Sequence, residues 1–295
     1  MLRPPAYICE VRPAPMWRAQ EKAHRDRLQP VLGPYLEQRS RGIKDPVMDF
    51  LFEYYGFRPS RLLRWSPGFG VALRGEAAEA FRAHPAFART PAGIALDPAR
   101  FPERRKQGLG WIRDLLAATE TRPPLLGCHG MHEWAMVYRA DTVRHGQVPL
   151  RMTPEALAAF VESTPVMCTH YDAFRFFTPA ARPLNRHQPT RETMPALEQP
   201  GCLHANMDLY RWAYKLSPWT PGSLLADTFD LACRIRTVDM RASPYDLRPA
   251  GLEPIAIETP EGRSTYRDHQ QRFAREAAPL RERLRGVYDV LIEYV

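Results

Sequence analysis

The sequence predicts a mainly α fold, one helical globular domain with a few short strands. Three cap signatures and one long amphipathic run carry that expectation. Asp45-Pro46 reads as an N-cap followed by proline at the first helical position, opening an aromatic helix over Val47 to Tyr55 that Gly56 closes. Thr153-Pro154-Glu155 repeats the pattern before Ala156 to Val161, and Thr259-Pro260-Glu261 repeats it before charged C-terminal helices. Between Gly201 and Leu216, the residues Leu203, Met207, Tyr210 and Tyr214 recur at i, i+4, i+7 and i+11, the spacing of a buried helical stripe. Strand candidates are short: Tyr7 to Val11, Gly70 to Leu73, and Ile255 to Glu258, of which the last alternates cleanly. The Pro- and Arg-rich stretch Leu184 to Pro200 has no sustained period and reads as a surface loop or lid.

A chain of 295 residues with 44% hydrophobic and 25% charged content buries a real core. Thr121-Arg122-Pro123-Pro124 separates an Arg-rich helical part, 1–120, from a His-, Asp- and aromatic-rich part, 121–295, which continues the same domain. No apolar run reaches the roughly 20 residues that span a bilayer, and the N-terminus lacks a signal-peptide core, so neither a membrane partner nor secretion is expected. Five widely spaced cysteines, an odd number, fit reduced thiols in a cytoplasm. The net charge of +8 admits a polyanion partner. It also fits codon bias, because lysine stands only at positions 22, 44, 106 and 215 and nearly all the positive charge is arginine.

Four segments place ionisable groups among apolar ones. In the 201–216 run, His204, Asp208, Arg211 and Lys215 form a second stripe beside the buried one, with His204 in the first turn, where the helix dipole favours a neutral ring. Pro165 to Pro179 embeds His170, Asp172 and Arg175 among aromatics, and Asp172 and Arg175 at i, i+3 suit a structural ion pair. Gly127 to Arg139 offers Cys128 with His132, and His129 with Glu133, as i, i+4 pairs able to hold two corners of a metal site. In Thr237 to Asp246, Asp239 projects from an apolar helix face and requires a cation, with Arg241 or Arg236 nearest and Arg241 taken as the partner in a buried ion pair. A fifth segment, Pro67-Gly68-Phe69-Gly70, has the form of the turn in helix-hairpin-helix motifs, although Val71 to Gly75 does not open a second helix and favours a plain turn.

The chain resembles a family of bacterial proteins catalogued as 3-methyladenine DNA glycosylases. The resemblance runs from Asp45-Pro46-Val47-Met48-Asp49-Phe50-Leu51-Phe52 and Arg64 to Gly70, through His132-Glu133-Trp134 and His170 to Pro179, to Asp239 to Asp246, and so covers most of the chain. It implies a DNA repair hydrolase that cleaves the N-glycosidic bond of an alkylated base, with DNA as partner and no cofactor. An N3-alkylated adenine is cationic and leaves readily, so such an enzyme needs an aromatic slot and a carboxylate. Trp134, Tyr171, Tyr210 and Trp212 supply the candidate slot, and Asp208, Asp172, Glu133, His204, His170 and His132 the candidate catalytic groups. Two other readings stand beside it. One is a metal-dependent oxygenase or hydrolase acting on a small molecule, with a metal held by His132, His170 and His204. The other is a non-catalytic nucleic-acid-binding protein.

Overall fold

The computed structural model describes residues 5–143 and 148–295. In chain order its elements are β1 (Glu10–Arg12), α1 (Ala14–Ser40), a π-helical turn (Phe50–Tyr54), β2 (Val71–Leu73), β3 (Phe87–Thr90), β4 (Gly93–Leu96), α2 (Glu103–Glu120), α3 (Met131–Ala135), α4 (Pro154–Ser163), α5 (Tyr171–Phe174), α6 (Met194–Leu197), α7 (Leu203–Leu216), α8 (Gly222–Ala242) and α9 (Pro260–Ile292). The fold is mainly α with one small sheet. No helix among the described residues is long and apolar enough to cross a membrane.

The chain divides into two compact units. The first comprises 1–116, 209–230 and 280–295, the second 117–208 and 231–279. In the first, α1 buries Trp17, His24, Leu28, Leu32 and Tyr35, a stripe at three-, four- and seven-residue spacing that makes one face of the helix apolar. The sheet has the order β1-β2-β4-β3, with β1 parallel to β2 and the other pairs antiparallel. Its core face is small-residue packing, Ala72, Ala92 and Ala95. The aromatic core joins Phe52 to Phe229 and Phe57 to Tyr210 and Tyr214. In the second unit, α4 begins as its cap signature dictates, with Thr153 Oγ1 accepting the Ala156 amide at 3.3 Å. The start of α9 follows the same logic, Thr259 Oγ1 accepting the Gly262 amide at 3.0 Å.

Several expected elements differ. Ile255 to Glu258 forms no strand: the Ile255 amide bonds the Arg241 carbonyl at the end of α8, so the alternation reflects Ile255 and Ile257 packing inward along irregular chain. The first strand begins only at Glu10, and the β3–β4 hairpin stands where no strand was expected. Within 127–139 the helix is confined to α3, with Gly130 at φ +80° immediately before it. The stretch 184–200 is not a loop on the surface throughout, since it folds α6 and then buries Glu198 and Gln199. Pro67 to Gly70 is a plain turn leading into β2, where Gly68 at φ +84° leaves no room for a side chain: a Cβ there would stand 2.6 Å from Pro221.

Candidate metal centre

The 127–139, 166–178 and 203–216 segments all reach one cavity in the second unit. It measures about 10 Å³ and is lined by Cys128 and His132, Cys168 and Thr169, Gln199, Cys202 to His204, and Tyr266 with Gln270 of α9. That is about the space of one water molecule or a bare ion. His132 comes from α3 and His204 from the first turn of α7, and their rings meet edge to face with centroids 4.6 Å apart. Asp239, three residues before the end of α8 at Ala242, completes a group of three buried donors whose ligand atoms all lie within 4.8 Å of one another.

His132 Nε2 lies 2.9 Å from Asp239 Oδ1. The two atoms stand at ion-pair distance, and neither has a hydrogen-bond partner elsewhere among the described residues. Two donors bound to one ion at about 2.1 Å, at right angles, stand about 3.0 Å apart, so the spacing fits a shared cation. The remaining polar atoms of the group are fixed by neighbours. Asp239 Oδ2 accepts from Arg236 Nη1 at 2.8 Å, and the same nitrogen donates to Glu133 Oε1 at 2.7 Å. His132 Nδ1 faces Cys128 Sγ at 3.4 Å. Burial opposes a proton on His132, yet the Asp239 carboxylate and the Cys128 sulfur hold its pKa well above the ordinary imidazole value. His204 is driven well below that value, first by burial and then by the neighbouring His132. Asp239 is held low: burial would raise it, but His132 and then Arg236 outweigh burial.

His170 lies beside this group, its ring 5.3 Å from that of His204. Its Nδ1 accepts the Ala173 amide at 3.3 Å and caps α5, so a neutral His170 carries its proton on Nε2 and has no lone pair there for a metal. Nε2 instead stands 3.5 Å from both Glu198 Oε1 and Asp208 Oδ2. Burial lowers the His170 pKa, but those carboxylates more than offset it and raise the pKa overall. No family model, curated protein or solved structure matches the chain.

The expected metal set of His132, His170 and His204 is therefore corrected to His132, His204 and Asp239. The expected Asp239–Arg241 ion pair is replaced by Asp239–Arg236. On a helix, residue i−3 shares the face of Asp239 and residue i+2 does not, and Arg241 points out to the Glu253 carbonyl. Glu133 is occupied by Arg236, and Asp172 pairs with Arg175 at 3.0 Å. Of the candidate base slot, Trp134 is enclosed by Phe160 and the Arg151 guanidinium, with its Nε1 donating to the Ala242 carbonyl. Tyr210 is enclosed by Tyr55, Phe57, Tyr214 and Phe229, while Trp212 packs against Trp111 and beneath Arg211. Tyr171 is half-buried on α5. Trp134, Tyr210 and Trp212 are each packed as core by their neighbours. Glu198, Gln199, Tyr266 and Gln270 were not singled out from sequence, and Arg236 was named only as the alternative to Arg241. The Arg236–Asp239 spacing of three on an apolar helix face was the signal available for Arg236, and the others carry none.

Proposed function

We propose that His132, His204 and Asp239 hold one divalent transition-metal ion, and that the protein is a metal-dependent enzyme, an oxygenase or hydrolase acting on a small molecule. The observation that carries the reading is the gathering of three buried donors, His132, His204 and Asp239, with ligand atoms all within 4.8 Å of one another, beside an ion-sized cavity that the two histidines line. Two imidazoles and one carboxylate with open positions suit non-haem iron oxygenases, and the same donor types hold zinc in hydrolases. A bound ion would supply Lewis acidity at this site. The chain's own residues prepare the site. Arg236 takes Asp239 Oδ2 and leaves Oδ1 for the ion. Cys128 takes the Nδ1 side of His132, which presents the Nε2 lone pair to the cluster. His170, held between Glu198 and Asp208, walls the cluster on the His204 side.

Cleavage of an alkylated base from DNA asks for a carboxylate facing a slot wide enough for a purine. The cavity that His132 and His204 line measures about 10 Å³, and no carboxylate among the described residues lines it; it has room for an ion and none for a base, which supports metal binding there. Elemental analysis of purified protein tests it. About one ion per chain is expected, iron assigning the oxygenase branch and zinc the hydrolase branch. His204→Gln and Asp239→Asn should each lose the ion, and Arg241→Gln should retain it. Folded wild-type protein that takes up neither iron, zinc nor manganese on reconstitution overturns the reading.

A further inference from the structure

The first unit carries a separate groove of about 360 Å³ with two unlike walls. One is aromatic, formed by Trp65 and Phe81. The other is cationic, formed by Arg25, Arg61 and Arg64 with His84, and Glu21 is the one carboxylate that joins the lining. The three arginines are exposed, and among the described residues none of them has an ion-pair partner. In the same unit Arg12, Arg27, Arg82, Arg89 and Arg100 each stand against an aspartate or glutamate.

His84 adds a directed donor. Its Nδ1 accepts the Ala86 amide at 3.2 Å, so the neutral ring carries its proton on Nε2. Burial and then the charges of Arg61 and Arg64 hold its pKa below the ordinary value, and all three line the same groove. Crowded cations with no anion of their own gain most from a ligand that brings one. Guanidinium forks match a phosphate better than a single ammonium would, and three of them exceed what one carboxylate can satisfy. The volume falls within the range of small-molecule sites, and the aromatic wall suits a flat ring.

We propose that this groove binds a phosphomonoester that also carries a flat aromatic ring, as a nucleoside monophosphate does. The phosphate sits among Arg25, Arg61, Arg64 and His84, and the ring lies along Trp65 and Phe81. The site is independent of the metal centre and stands or falls without it.

Titration of the full chain with AMP, followed by calorimetry and by tryptophan fluorescence, tests the assignment. AMP should bind, and adenosine and inorganic phosphate should each bind at least about tenfold more weakly, because each lacks half of the recognised chemistry. Arg61→Gln with Arg64→Gln should weaken AMP binding by about a hundredfold. Arg41→Gln removes the same kind of charge from a residue paired with Glu37 and should leave binding unchanged. If the double variant loses its melting transition, Arg25→Gln alone supplies the measurement, with about a tenfold loss expected. Failure of AMP to bind, or equal losses in the groove variants and Arg41→Gln, overturns the proposal. A single-stranded oligonucleotide that binds through these arginines where AMP does not also overturns it, in favour of a nucleic-acid surface.

Discussion

Replacing Arg236 with methionine should expose how the second unit balances its buried charge. The guanidinium is 1% exposed and joins Glu133 at 2.7 Å to Asp239 at 2.8 Å. Asp239 keeps His132 at 2.9 Å after the change, so Glu133, itself buried, is the carboxylate left without its cation. Removing one partner from a buried pair typically costs about 3 to 5 kcal/mol, because the remaining charge stays desolvated. For a cooperative unit of this size each kcal/mol moves the midpoint by roughly 2 to 4 °C, which gives a fall of about 6 to 20 °C. The assay is urea and thermal unfolding of metal-free protein, so that ion binding does not contribute. Glu133→Gln added to Arg236→Met should recover about 1 to 2 kcal/mol by removing the stranded charge. A single variant within about 1 kcal/mol of the wild type, or a double variant less stable than the single one, would refute the reasoning.

Asp208→Asn should lower stability by about 1 to 3 kcal/mol through the damaged contact with His170, yet leave the metal stoichiometry of the folded protein unchanged by elemental analysis. Thr153→Ala removes the cap of α4 and should cost about 1 kcal/mol in denaturant melts. Gly262→Ala should be far worse, since its Cβ would stand 1.9 Å from the Ala256 carbonyl oxygen; soluble yield and midpoint read the effect. His24 is buried, with Nε2 donating to the Leu62 carbonyl, and burial, with smaller contributions from the facing Arg27 and Arg25 charges, lowers its pKa. The folded state thus prefers the neutral ring. Its contribution is complete above the unfolded value of about 6.5 and is lost as pH falls from there toward the folded value. Unfolding free energy between pH 7.5 and 5.5 should therefore fall less steeply in His24→Gln than in the wild type, and equal slopes would contradict the assignment.

Features that depend on a few neighbouring residues were legible in the sequence. The caps at Thr153 and Thr259 formed, and the stripe through Leu203, Met207, Tyr210 and Tyr214 is buried as its spacing requires. The hairpin at Phe87 to Leu96 escaped because each arm has only four residues, too few for alternation to register. Ile255 to Glu258 misled for the converse reason, since alternating burial needs no strand partner when the backbone bonds a helix end. His132 and His204 stood out by their surroundings, but Asp239 lies 35 residues beyond His204 and reaches it only through packing. An apolar helix face shows that a buried aspartate needs a counter-charge. It does not show which side chains arrive to supply it.

The first unit is assembled from both ends of the numbering, with 280–295 returning to residues before 117, and the second unit is complete at Pro279. During synthesis the order of completion is therefore inverted. The second unit has all its residues while the first still lacks Leu284, Tyr288 and Leu291, each almost wholly buried in the finished protein. Tyr294 has yet to reach Tyr7 and Phe69, and Tyr288 has yet to bond the Trp212 carbonyl. The nascent chain must carry an unfinished aromatic core until residues 280–295 leave the ribosome, a window in which chaperone capture or aggregation competes with folding. Loss of the last helical turns would then strike the segment made first.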